Sequence, residues 1–594
     1  MRILQAICWT LLLAVVVTLS RAESLPPANQ WIPADAFAEV EISRPGDILD
    51  VALDPELLKS IAALPAYQKA SDAPKLEQFL AVVRFLEIQL NTDWASGVRK
   101  LVGGGVTAAI GPKGGVIVCI DATDTALLEK LHQIVMGSPD ADKPADAATA
   151  SEYRGVKIWT KKDDSAHTLL GNRLILANRL EALKAVLDLR AGQGKSIATV
   201  RAYQAAKKAA GPAAATAYVD MAVVKQSPQF QESFKSDNPL GALLFYGVTE
   251  PLRDSKWLSL GLTAEKNVLR LRLTVDGRTT GEKSIASFAW PQTDADGALP
   301  NLAVPRRLAA GSFYRDLHAF YASKDALFPE RTSGLIFFEN MMGIFFTGRD
   351  LTEEVLAEYQ PDIRFVAAEQ TYDPAIGTPQ VQLPGFALVF RLRHPEKAGK
   401  MTEEAWQKAI GLVNFTRGQK AEPGLVLDRD TYAGVKYTVA RFSAPDEKKS
   451  DVPTRYNTQP TIARSGEYLV LSSTEGLARD VLDALQAEKS ASRQPLPGVS
   501  TLIELDGAHL ASILQANSKV LINQQMLEKG LTQEQAEAQM GLIALVPRYL
   551  DQAKVRFSQE DNRPVVTLDL HVNPSGHVAE AHHASAVPTV EQPK

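Results

Sequence analysis

The chain has 594 residues, 45% of them hydrophobic, and its 64 basic and 69 acidic side chains give a formal charge of −5 at pH 7. The two signs are interspersed, so the sequence lacks the basic footprint of a nucleic-acid binder. Two cysteines, Cys8 and Cys119, are too few for a disulfide framework, and the length calls for several domains of about 100–200 residues each.

From the N-terminus, Arg2 precedes an apolar run from Leu11 to Leu19, and Ser20-Arg21-Ala22 has the small-x-small pattern of a signal-peptidase site. Residues 1–22 are therefore expected to be an export signal cleaved after Ala22, which places the mature chain in the periplasm or outside the cell. Cys8 lies too early to be a lipoprotein acceptor. The apolar run is shorter than the ~20 residues of a membrane span, and no later stretch reaches that length free of charge, so no transmembrane segment is expected in the mature chain. Phe37 to Ile42 alternates as a strand. Asp54-Pro55 offers an N-cap with proline at the first helical position, followed by Leu57, Leu58, Ile61 and Leu64. A helix is expected over 75–90, strands over 106–110 and 116–120 joined by a turn at Pro112 to Gly115, and a helix over 125–135. After a loop from Ser138 to Thr149 comes Tyr153-Arg154-Gly155-Val156-Lys157, the turn of a hairpin, then a strand at Leu174 to Leu176 and a helix closing on Leu187-Asp188. Ala214 to Val219 reads as a strand, Ser227-Pro228 as a cap, and Trp257 to Leu262 with Val268 to Val275 as a closing hairpin. Residues 278–305, rich in Thr, Gly, Asp and Pro, read as a linker.

Beyond it the order recurs. A strand is expected at Phe313 to Leu317, a helix at Leu335 to Phe346, a hairpin of Ile363 to Ala368 with Phe386 to Leu392, and a helix at Ala405 to Val413. Then Tyr432-Ala433-Gly434-Val435-Lys436 repeats the first hairpin turn. Gly171 and Asp188 return 295 positions later as Gly466 and Asp483, whereas the tyrosines are 279 apart, so the second copy carries a longer connection, assigned to Ser443 to Ile462. Leu502-Ile503-Glu504 matches Tyr218-Val219-Asp220, and Val555 to Phe557 with Val565 to Leu570 matches the closing hairpin. The period exceeds that of solenoid repeats. The expected fold is α+β: two similar halves, 23–277 and 306–572, from internal duplication, each an antiparallel-rich sheet with helices packed on one face. A helix over 532–550, opened by the capping box Thr532-x-x-Gln535, has no evident counterpart in the first half. Residues 573–594 read as a disordered tail.

Chemistry-bearing residues are sparse. Gly103-Gly104-Gly105 enters a strand and lacks the Lys and Ser/Thr of a P-loop. Cys119 sits in an apolar strand as a small hydrophobe. His577, His582 and His583 lie in the tail without a caged geometry. His132, His167, His318, His394 and His509 are scattered, with neither His-Glu-x-x-His nor Gly-x-Ser-x-Gly spacing. Trp159 and Trp257 read as core or cover, and Asn414-Phe415-Thr416 matches a glycosylation sequon. No catalytic residue, metal ligand or cofactor follows. The candidates for ligand contact are Lys157 and Lys436, which recur in equivalent places, although an outward lysine on a hairpin is ordinary surface.

An export signal, the opening Pro33-Ala34-Asp35-Ala36, the two Y-x-G-V-K hairpins and G-x-x-L-x-L strands before an amphipathic helix resemble large exported bacterial proteins filed only as a domain of unknown function. The resemblance covers most of the mature chain, implies an extracytoplasmic bacterial protein and carries over no catalytic residue. The second half departs from the pattern at its opening, Leu308-Ala309-Ala310-Gly311. The expected function is a non-enzymatic exported binding or scaffolding module whose halves face a shared cleft, with an envelope protein or a small apolar ligand as partner. The alternatives are a hydrolase with a dispersed site, which needs convergent titratable groups in a pocket, and a carrier of lipid or another apolar ligand, which needs a large apolar concavity.

Overall fold

The computed structural model describes residues 25–573 except 63–73, 137–147, 233–237, 280, 282–283, 294, 329–332, 444–451 and 492. The expected signal, residues 1–22, and all of the expected tail after Asn573 lie outside the described residues. The strands of the first part are β1 (Ala38–Ile42), β2 (Gly105–Ile110), β3 (Val116–Asp121), β4 (Thr149–Tyr153), β5 (Val156–Thr160), β6 (Ala166–Leu170), β7 (Arg173–Ala177), β8 (Ala215–Asp220), β9 (Trp257–Glu265) and β10 (Val268–Val275). Those of the second are β11 (Arg307–Tyr314), β12 (Tyr359–Ala368), β13 (Gly385–Leu392), β14 (Val426–Tyr432), β15 (Val435–Arg441), β16 (Thr461–Ser465), β17 (Tyr468–Ser472), β18 (Val499–Asp506), β19 (Leu550–Glu560) and β20 (Arg563–Val572).

The longer helices of the first part are α1 (Pro74–Leu90), α2 (Trp94–Val102), α3 (Thr125–Met136), α4 (Leu180–Arg190), α5 (Arg201–Ala210) and α6 (Pro239–Asp254). In the second they are α7 (Ser333–Phe345), α8 (Pro395–Gln419), α9 (Glu475–Ala491), α10 (Gly507–Ala516), α11 (Ser518–Lys529) and α12 (Gln533–Tyr549). Caps read from the sequence are present: the Asp54 carboxylate accepts from Glu56 N–H at 3.0 Å, and Thr532 with Gln535 closes a capping box at the start of α12.

Among the described residues, all 20 strands join one sheet. Pairing runs β4-β5-β6-β7-β3-β2-β1-β8-β9-β10, each contact antiparallel. It crosses from β10 to β20, in register from Val268 opposite His571 to Thr274 opposite Val565. From there it continues β19-β18-β11-β12-β13-β17-β16-β15-β14, again antiparallel throughout. The second ten strands therefore pair in the order of the first ten, read outward from a central β10/β20 seam. An all-antiparallel sheet built from hairpins and short crossovers is the class that the alternating strands called for.

Helices cover both faces of this sheet, a correction to the expectation of one. In β7, Ile175 and Ala177 pack with Leu183, Val186 and Leu187 of α4, while Leu174 and Leu176, pointing the other way, pack with Leu128 of α3. In β17, Val470 meets Val481 and Leu482 of α9, and Leu469 meets Ala398 and Met401 of α8. The physical sign was in the sequence: strands buried on both faces read as continuous apolar runs, not alternations, and Leu174-Ile175-Leu176 is such a run.

Three further expectations change. Residues 278–305 are not a surface linker: Ala286, Phe288, Ala289, Trp290 and Leu302 are all nearly inaccessible. The helix over 532–550 does have a positional counterpart, because α10 to α12 connect β18 to β19 just as α6 connects β8 to β9. The match of Asp220 with Glu504 is shifted by two: it is Asp506 that, like Asp220, ends its strand and caps the next helix, accepting from His509 N–H as Asp220 accepts from Ala222 N–H. β15 ends at Arg441 and β16 begins at Thr461, so the long connection expected over Ser443 to Ile462 stops short of Ile462, which lies in β16.

The inner strands meet the segment between β10 and β11 at a dense junction. Pro251 inside α6 has no N–H to give Gly247, and the Trp290 indole donates to that carbonyl instead, at 2.8 Å. Gly247 is needed there, since an added Cβ would lie 2.9 Å from Ala289 Cβ. Beside it the Arg315 guanidinium, almost wholly buried, donates to the carbonyls of Leu243, Leu244, Ala289, Tyr314 and Ser500 and to Thr501 Oγ1. One side chain thus ties α6 to the segment before β11 and to β18.

Candidate binding surface and a buried histidine cluster

The repeated hairpin is a structural device. Arg154 and Gly155 both have positive φ, 51° and 73°, as do Ala433 and Gly434, 48° and 78°, the signature of the two-residue turn whose twist suits a hairpin. Each tip is tied to the helix behind it: Tyr153 OH donates to Asp188 at 2.9 Å, and Tyr432 OH to Asp483 at 2.8 Å. Arg154 adds an ion pair to Asp188. That explains why tyrosine, glycine and aspartate recur together. Lys157 and Lys436 are both exposed, and they stand on β5 and β15, next to the two opposite edges of the sheet. Seventeen strand-to-strand steps along the sheet separate β5 from β15.

A polar pocket lies where β12 ends and α9 begins, lined by Arg306, Glu369, Tyr372, Asp373, Thr474 and Asp480 among others, with a cavity volume of about 50 Å³. That holds a few waters, against roughly 300–1,000 Å³ for organic-ligand sites. Arg306 Nη2 donates to Asp480 at 3.0 Å, whereas the Glu369 oxygen nearest His509 Nδ1, at 3.3 Å, has no hydrogen-bond partner. Burial raises the Asp480 carboxyl despite that arginine, and burial pushes the Tyr372 hydroxyl up to about 12.

The third site joins residues that the sequence left scattered. Trp159 on β5 and His167 on β6 are cross-strand partners, and their rings stack with centroids 5.3 Å apart and planes 3° apart. His132 from α3 closes on the pair, 5.1 Å from Trp159 and 5.9 Å from His167, edge-on to both. All three are at least 95% buried, with exposures of 2% for His132 and 5% for Trp159 and His167. His132 Nδ1, His132 Nε2 and His167 Nε2 make no hydrogen bond. Burial lowers His132 to about 3, helped by His167, and lowers His167 to about 4, helped by Lys161. Lys157 Nζ stands 5.2 Å from the Trp159 ring centre. Both imidazoles are therefore neutral at physiological pH. Residues 132 and 167 obey no ligand-spacing rule, so only the packing of α3 on the β5/β6 hairpin reveals them.

The largest departure from an ordinary surface is apolar. The segment Ser333–Phe345 that forms α7 contains a single charged residue, Glu339. A helix apolar nearly all round is normally buried, yet only one side of α7 packs: Leu335 joins Phe320 and Phe328, while Ile336, Phe337 and Ile344 are exposed, Ile344 to 72%. The helices in equivalent connections do the same. In α1, Phe85 and Ile88 are exposed; in α6, Leu240 and Phe245; in α12, Leu542, Ile543 and Val546; and the end of α8 adds Leu412, Val413 and Phe415. Isolated exposed apolar side chains are normal, but grouped ones on several neighbouring turns mark contact surfaces. Among the described residues no helix is long and apolar enough to cross a membrane.

No family model matches the chain, and no curated protein does. Among solved structures, crystal form I of TP0453 aligns at 9% identity with a TM-score of 0.24, over 43% of this chain and 81% of that one. Crystal form III of TP0453 aligns at 8% identity with the same TM-score, over 44% and 83%.

Proposed function

We propose that this protein is a non-enzymatic binding module of the bacterial envelope or exterior, exported by residues 1–22, and that it binds through the apolar side chains left exposed on α1, α6, α7, α8 and α12. The observation that carries this reading is α7, where Ile336, Phe337 and Ile344 face solvent on a helix with one charge. Leaving such side chains in water costs about 1.5–3 kcal/mol each relative to burial, an outlay that a partner would recover. The same exposure in α1, which holds the position of α7 in the first run of strands, supports reading the surface as a property of both halves. We take the halves as duplicates: identical strand order, the paired Tyr-to-Asp ties and the shared strand-end caps support it. The polar pocket, at about 50 Å³, favours a surface over a cavity as the working part.

The test is site-specific photo-crosslinking in the exporting cell. A photoreactive residue at Phe337, Ile344 or Ile543 should give discrete covalent adducts, and one at Lys157 or Lys436 should not. Uniform absence of adducts at the three apolar positions overturns the surface, and a mature protein that begins at Met1 instead of Glu23 overturns the export.

A further inference from the structure

We propose that His132 and His167 together bind one soft monovalent d10 cation, Cu(I) or its analogue Ag(I), with Trp159 as the wall of the site. Three ring nitrogens, in side chains more than nine-tenths buried, have no hydrogen-bond partner. Such orphaned groups are costly, and their presence in a native core calls for water, an ion or a chemical role. An imidazole in either neutral tautomer offers one lone pair. Two imidazoles sharing one ion at ~2 Å from each nitrogen have ring centres about 6 Å apart, and these are 5.9 Å apart. The distances of 5.1 and 5.3 Å from the indole to the two imidazoles place the space between them within the ~6 Å over which a ring face attracts a cation.

The class of ion follows from what is missing and what stands nearby. Zinc takes four ligands, and among the described residues no group of three or more His, Cys, Asp or Glu could hold a metal. A d10 monovalent ion is satisfied by two nitrogens in line. Lys157, 5.2 Å from the indole, opposes positive charge there, so a single charge is tolerated better than two. Cys119, the other soft ligand, lies in the cluster on the opposite face of the sheet with Ile175.

The experiment uses the full mature chain with His577, His582 and His583 changed to Ala, so that the tail cannot bind. Silver is added as the nitrate in chloride-free buffer, and copper(I) anaerobically against a colorimetric competitor. The expected result is one equivalent of either ion, with X-ray absorption showing two nitrogen neighbours and no sulfur. His132→Leu and His167→Leu, each checked for native circular dichroism, should abolish it, and Trp159→Phe should weaken it by roughly 2- to 30-fold. Absence of stoichiometric binding, a sulfur neighbour, or binding unchanged in folded His132→Leu protein overturns the site. If the leucine variants do not fold, the absorption spectrum of the protein with both histidines present decides alone.

Discussion

Replacing Arg315 with methionine tests how the two runs of strands are held together. The guanidinium is 2% exposed and faces no carboxylate; its partners are five main-chain carbonyls and one hydroxyl, from 2.7 to 3.4 Å. Burial pulls its pKa down to about 9, so it is still charged at neutral pH. Methionine fills a similar length but donates nothing. The carbonyls of Leu243 and Leu244 keep the amide donors of their own helix, which leaves those of Ala289, Tyr314 and Ser500 short of a donor. At about 1–3 kcal/mol for each such group, the loss from the three is about 3–9 kcal/mol. Urea unfolding followed by circular dichroism measures it from the midpoint at constant m. Because the same side chain joins α6, the segment before β11 and β18, the variant should also unfold over a broader or divided transition where the unsubstituted chain shows one. Arg270→Met is the control, since its ion pair with Asp569 is half exposed on the arginine side and such pairs contribute about 0–1 kcal/mol. A loss below about 1 kcal/mol for Arg315→Met, matching an ordinary surface change, would refute the reasoning.

Leu187→Ala and Leu482→Ala, at equivalent positions 1% and 3% exposed, should each cost about 2–5 kcal/mol through lost burial and a cavity, while Lys157→Ala and Lys436→Ala should stay within about 0.5 kcal/mol of the parent; denaturant midpoints check all four. The buried histidines predict acid sensitivity. Their folded values of about 4 and about 3 lie below the ordinary 6.5, so unfolding takes up protons and stability falls as pH drops from about 6.5 towards 3–4, by about 3–5 kcal/mol per histidine. His167→Phe should flatten that limb in a pH series of urea midpoints. Glu39 predicts the opposite sign: burial holds its carboxyl at about 7, above the unfolded value, so the folded state loses stability as pH rises from 4.5 through 7. Glu39→Gln should therefore be more stable than the parent at pH 8 and should remove that decline; equal midpoints at pH 8 would contradict it.

The amino-acid sequence by itself determined the local elements and much of their order. Alternating apolar residues, Asp54-Pro55, Ser227-Pro228, the Thr532-Gln535 box and the Tyr-x-Gly-Val-Lys turns each specify a strand, a cap or a hairpin through contacts only a few residues apart. Such contacts are written in consecutive letters. The tertiary structure decided what depends on distant residues. It placed helices on both faces of one continuous sheet, because Leu174 and Ile175 need cover on opposite sides. It drew Phe288 and Trp290 into the interior, although their neighbours have the composition of a linker, because the Gly247 carbonyl beside Pro251 needs the indole N–H. It brought His132 to Trp159 and His167, which no spacing in the chain could announce. The exposed face of α7 belongs to the same class: the segment is apolar in sequence, and only the packing shows which of its side chains remain in water.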